Sequence, residues 1–245
     1  MSAAPSVPGL AGAAARIFAL EWPGLLWGRR GRWMLPLLAW PVLSATMRLA
    51  AGGRLAWTDC VGSYLDFLLP LVALFQATRL VRHHVEQRTI VYLLARPVSR
   101  PAILLGSFGA YLAAALAVAL PSIVIGFLLC APVGGGAVES LTRALLASSA
   151  ALASFGALFA FLGLVLRKPL VFGLIVVFSS LVLAGTGGLF PRATLTAPLR
   201  VLAAAPSAPV DMTVVGAALG LAVFTVLALT AAIVAFRTGE YVPEA

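Results

Sequence analysis

Six stretches of this chain stay apolar over lengths near twenty residues, and that pattern leaves a backbone few places to fold. About 30 Å of hydrocarbon is crossed by roughly 20 helical residues rising 1.5 Å each, with every backbone polar group bonded inside the helix. Composition agrees, since 62% of residues are hydrophobic and 10% charged, against roughly 45–50% and about 25% in soluble domains. The sequence therefore predicts an all-α integral membrane protein forming a single transmembrane domain over residues 1–245. The expected spans are 33–50, 61–81, 102–131, 142–166, 169–187 and 212–236. The third run is too long to cross upright, so it must tilt, protrude or bend; a bend is expected at Pro121, whose missing N–H removes a helical hydrogen bond.

Residues 10–32 read differently. Ile17, Phe18, Leu20, Trp22, Leu25 and Leu26 alternate with Arg16 and Glu21 ahead of Arg29-Arg30-Gly31-Arg32, which predicts an amphipathic helix lying in the membrane interface, its arginines on anionic lipid. Arg16 and Glu21 also break the run that a cleavable signal peptide would need, so none is expected.

Six spans place both termini on one side. Of the 17 Lys and Arg residues, the loops on that side would hold Arg16, Arg29, Arg30, Arg32, Arg79, Arg82, Arg88, Arg96, Arg100, Arg167, Lys168 and Arg237. The other side keeps Arg48, Arg54, Arg143, Arg192 and Arg200. The positive-inside bias puts the termini and the 82–100 loop in the cytosol. It also accounts for the formal charge of +9 without a nucleic-acid partner, for which no soluble basic face is expected.

The 82–100 loop is the least lipid-like part of the chain. Ile90, Leu93 and Leu94 fall at i, i+3 and i+4, with Glu86, Gln87, Arg88, Thr89 and Arg96 largely on other faces, the pattern of a short amphipathic helix. Pro97 ends it, Val98 and Ser99 form a corner, and Arg100-Pro101 start the next helix. By pattern alone this is either a lever that docks a soluble partner or a cytosolic helix resting on lipid.

Asp66 is the acidic residue placed well inside an expected span. Intramembrane charge is costly and faces a partner or a wet cavity, so Asp66, with Tyr64 and Gln76 along the same helix, is a candidate for lining a pathway. The alternatives are hydration at the outer interface or pairing with Arg48 or Arg54. Cys60 and Cys130 fall near the outer ends of neighbouring spans, where a disulfide or two buried thiols are both open. His83 and His84 point about 100° apart on a helix and make a poor chelating pair. The outer segment 188–211, with Pro191, Pro198, Pro206 and Pro209 around Leu199 to Ala205, is a short re-entrant or interfacial helix or a plain prolyl loop. Small residues at helical spacing, Ser149, Ala153 and Ala157, and Gly216 with Gly220, offer packing faces. No phosphate-binding Gly-x-x-x-x-Gly-Lys pattern occurs; the single lysine, Lys168, follows Arg167 at a membrane boundary.

Glu86, Thr89, Leu93, Leu94 and the run Pro97-Val-Ser-Arg100 resemble the signature of type-2 ABC transporter permeases, a match of about fifteen residues. The N-terminal interfacial helix and six-span plan extend the resemblance loosely over the chain. Arg88 stands where the family usually has glycine, and Ser107 where a lysine is common. The resemblance implies a multi-pass subunit of the bacterial plasma (inner) membrane whose coupling contact with a cytosolic ATPase is made by Glu86, Thr89, Leu93, Leu94, Pro97 and Arg100. It further implies a dimer with a second permease copy or homologue, no cofactor on this chain, and ATP with Mg on the partner subunit. Short outer loops favour export or lipid handling. The alternative is a membrane scaffold or integral membrane enzyme unconnected with ATP-driven transport.

Overall fold

A computed structural model describes residues 9–50, 57–78, 80, 100–130, 137–184, 194–205 and 212–238. Its elements are α1 (Leu10–Trp27), a 3-10 turn (Arg29–Met34), α2 (Leu35–Ala50), then α3 (Trp57–Ser63) running through a π segment (Tyr64–Leu68) into α4 (Leu69–Ala77). They are followed by α5 (Arg100–Cys130), α6 (Ala137–Val165), α7 (Pro169–Ala184), α8 (Thr196–Leu202) and α9 (Val214–Thr238). No strand occurs among the described residues. Among the described residues, four segments are long and apolar enough to cross a membrane: Cys60–Ala77, Arg100–Leu129, Val138–Val165 and Val214–Thr238. Leu35–Met47 and Pro169–Leu183 are apolar but shorter.

The boundaries differ from the sequence expectation where local chemistry extends a helix. The fourth expected span opens at Ala137 rather than 142, because Glu139 sits in the first turn of α6, where the helix dipole favours an acid, and meets Arg143 one turn on at 2.6 Å. The second begins at Trp57, four residues before expectation, and its helix ends at Ala77. The first starts only after the 3-10 turn that takes up Trp33 and Met34. Helix α5 continues through Pro121 for 31 residues, about 46 Å at the helical rise.

Helix α6 is the axis of the bundle, packed against α4, α5, α7, α8 and α9. Ala147, Ser148, Ala151, Leu152, Phe155, Ala157 and Phe159 are all buried on it, mixing small residues that admit neighbours with aromatic ones that fill the space. At Gly163 an added Cβ would lie 2.6 Å from the carbonyl oxygen of Thr78, so glycine sets how closely α6 passes the end of α4. Of the small residues singled out in the sequence, Ala157 is fully buried, whereas Gly216 lies on an exposed face of α9 and Gly220 has no heavy atom within 4 Å of a notional Cβ.

Helix α1 packs along α5 through Ala13, Ile17 and Leu25, spaced by four and eight residues. Gly106 permits the contact, because a Cβ there would fall 2.7 Å from the Ala14 carbonyl oxygen. Helices α2 and α5 are tied by a polar contact with a definite cause. Pro41 has no N–H, which leaves the carbonyl of Leu37 without its helical donor; the Ser122 hydroxyl of α5 donates to that carbonyl instead. Further polar ties join Tyr111 of α5 to the Leu152 carbonyl at 3.1 Å and Ser154 of α6 to Thr225 of α9 at 2.9 Å. The outward positions of α7 and α9, including Phe172, Ile175, Phe178, Leu219, Val223 and Leu227, are exposed and apolar, the opposite of a soluble fold and the polarity that lipid requires.

Candidate functional site

Asp66 and Arg200 form the buried charge centre of the bundle. Arg200 Nη2 donates to Asp66 Oδ2 at 2.6 Å, and Nε approaches Oδ1 and Oδ2 at 3.2 and 3.1 Å. The two side chains are 11% and 12% exposed, so the guanidinium fork grips the carboxylate away from solvent. Asp66 stands about 9 Å inside the apolar span that starts at Cys60, given six residues of helical rise. Among the described residues its partner is Arg200, 134 residues on; Arg54 and the side chain of Arg48 lie outside the described residues.

The local sequence explains how each charge reaches that place. Asp66 lies on the π segment, a wider turn that re-aims side chains within an otherwise α-helical rod. Arg200 lies on α8, seven residues with Thr196, Ala197, Pro198, Leu199, Val201 and Leu202 buried; within the 188–211 stretch, the described part thus forms a short helix packed against α6, α7, α9 and the π segment. Pro198 falls in its first turn, where a missing N–H does no harm. At the N-terminus Thr194 Oγ1 accepts from the Ala197 N–H at 3.4 Å and pairs with Thr196 Oγ1 at 2.9 Å. At the C-terminus Ala204 N–H donates to Val201 O at 3.2 Å and Ala205 N–H to Arg200 O at 2.9 Å, a Schellman closure that puts Ala204 at φ 53°. That conformation ordinarily belongs to glycine. Substituting Ala204→Gly is therefore expected to stabilise the chain by about 1 kcal/mol through relief of the left-handed penalty, read as an upward shift of the thermal unfolding midpoint in detergent; a lowered midpoint would contradict it.

The other proposed pathway residues are also buried but do not converge. Tyr64 is fully buried, its ring 4.4 Å from that of Trp40, and Gln76 is buried on α4. Tyr64 thus faces α2 while Asp66 faces α8. Cys60 is buried on α3; the side chain of Cys130 and both His83 and His84 lie outside the described residues.

Of the six residues proposed to contact an ATPase, Glu86, Thr89, Leu93, Leu94 and Pro97 lie outside the described residues. Arg100 opens α5, and its guanidinium donates to the carbonyls of Arg237 at 3.0 Å and Phe236 at 3.5 Å. These are last-turn carbonyls of α9, where the helix dipole favours a cation. Beside them Ile17, Ile103, Leu104, Ala232 and Phe236 form an apolar cluster of their own, so the exit of the 82–100 loop is fastened to α1 and α9. Ser107, at the position where a lysine is common in the resembling family, donates to Glu21 Oε1 of α1 at 2.8 Å.

Arg200 was absent from the sequence-derived site. The signal was present: an arginine within the apolar piece Leu199 to Ala205 and an aspartate within an apolar span are opposite charges that a low-dielectric interior drives together. No protein-family model and no curated protein matches this chain.

Proposed function

We propose that this chain is the membrane subunit of an ATP-driven transporter of the type-2, exporter-like class, with six spans, cytosolic termini and a place in the bacterial inner membrane. The observation that carries the reading is the sequence pattern from Glu86 to Arg100, that of an amphipathic helix, a proline corner and a restart, which precedes α5. The all-helical bundle supports it, as does Arg100, whose hold on the end of α9 would pass a displacement of the loop to a second long helix. In this reading Glu86, Thr89, Leu93, Leu94 and Pro97 meet a separate ATPase subunit that binds ATP and Mg, Arg100 braces the loop from behind, and a second permease copy or homologue completes the pathway. The shorter apolar helices α2 and α7 complete the six spans with the four long ones. Exposed apolar positions of α7 and α9 meet lipid or the second copy.

The purified chain alone is expected to hydrolyse no ATP, and hydrolysis is expected to accompany it only when a soluble ATPase co-purifies. Reporter fusions at Pro97, Lys168 and Glu244 should report cytosol, and fusions at Gly135 and Pro206 the outside. ATP hydrolysis by the chain on its own, or reversed reporters at two of these sites, would overturn the reading.

A further inference from the structure

Unfavourable features gather where α8 meets the π segment. The helix widens at Tyr64–Leu68, an ion pair is desolvated between Asp66 and Arg200, and Ala204 holds a left-handed backbone. Strain of this kind persists where the surroundings enforce it and gathers at switching and binding sites. Holding α8 in place does not require it, because an apolar pair of similar volume replaces a buried ion pair with no loss, and often a gain, in stability. An apolar pair has no compensation when it is pulled apart beside water. A carboxylate and a guanidinium do, since each regains its hydration on separation.

We infer that the Asp66–Arg200 pair is a reversible closure: it holds α8 as a plug within the bundle, and its opening admits water between α8 and the π segment. The purpose of such an opening, passage of a substrate, rests on the transporter reading above; the closure itself does not. The short length of α8, closed at both ends by its own hydrogen bonds, lets it move as a unit without unravelling. Proline-containing chain flanks it on both sides, at Pro191 and at Pro206 and Pro209.

The test uses Val201→Cys, a buried position on α8 next to Arg200, in the full-length chain in permeabilised membranes, with a water-soluble maleimide as the probe. The background also carries Cys60→Ala and Cys130→Ala so that one thiol reports. Labelling is expected to be slow with the native pair, at least tenfold faster after Asp66→Asn, which keeps the shape and removes the charge, and slower than native after Asp66→Leu with Arg200→Met. The double variant removes both charges of the pair, so it keeps the comparison valid if Asp66→Asn unfolds the chain. Equal labelling in the native and double-variant backgrounds would mean that apolar packing alone holds α8, and the closure would be overturned. ATPase binding is not read in this experiment, so its failure leaves the transporter reading to its own test.

Discussion

Replacing Asp66 by alanine is expected to destabilise the folded chain by about 3–5 kcal/mol, because it removes the carboxylate gripped by the Arg200 guanidinium, whose side chain is 12% exposed. Replacing Arg200 by alanine should cost about as much, for the reciprocal reason. The effect comes from the charge left behind in a dry interior, more than from the attraction between the two groups. The double substitution Asp66→Leu with Arg200→Met should therefore lie within about 1.5 kcal/mol of the native chain, since it removes both charges and keeps most of the volume. Thermal unfolding in detergent reads all three, with single variants lowered by on the order of 10 °C and the double variant near the native midpoint. Single variants that unfold with the native chain would show that water reaches the pair, and the site would lose its buried character.

The long helices were legible because their signal is simple. Hydropathy over twenty residues decides whether a segment enters lipid, so α5 and α9 came within two residues of their expected limits. Errors appeared where short-range polar chemistry acts at a helix end, as with Glu139 and Arg143 in the first turns of α6. The π segment is followed by Pro70, whose missing N–H leaves the Asp66 carbonyl without its α-helical donor; the sequence supplied that break and not the widened turn.

The site was half legible. Asp66 announced itself as an acid in an apolar span, but its partner lies 134 residues away on a helix of seven residues that hydropathy could not separate from a loop. Counting Arg200 among the outer cations hid it, because a topology count treats every arginine as solvated. Likewise the tie between Leu37 and Ser122 follows from Pro41 once the structure shows which hydroxyl is near; the sequence supplied the orphaned carbonyl and not its donor. Arg100 was singled out for an external contact, and the structure seats its guanidinium on the end of α9.

Replacing Leu93 by glutamate is expected to weaken association with the ATPase subunit by about 2–4 kcal/mol, roughly 30- to 1,000-fold. The sequence spacing of Ile90, Leu93 and Leu94 is that of one face of a short amphipathic helix, and a helix that docks into a protein groove buries such anchors at its centre. A carboxylate there must be desolvated without a partner, which a groove shaped for leucine does not provide. A helix that rests on lipid would respond differently: glutamate would lift it from the membrane surface and leave any ATPase contact untouched. Affinity capture of the ATPase from membranes, with wild-type and Leu93→Glu chains present in equal and properly inserted amounts, separates the two. The account predicts a co-purifying ATPase with the wild type and its near absence with the variant; equal capture by both would contradict the coupling role of residues 86–100 and with it the proposed function.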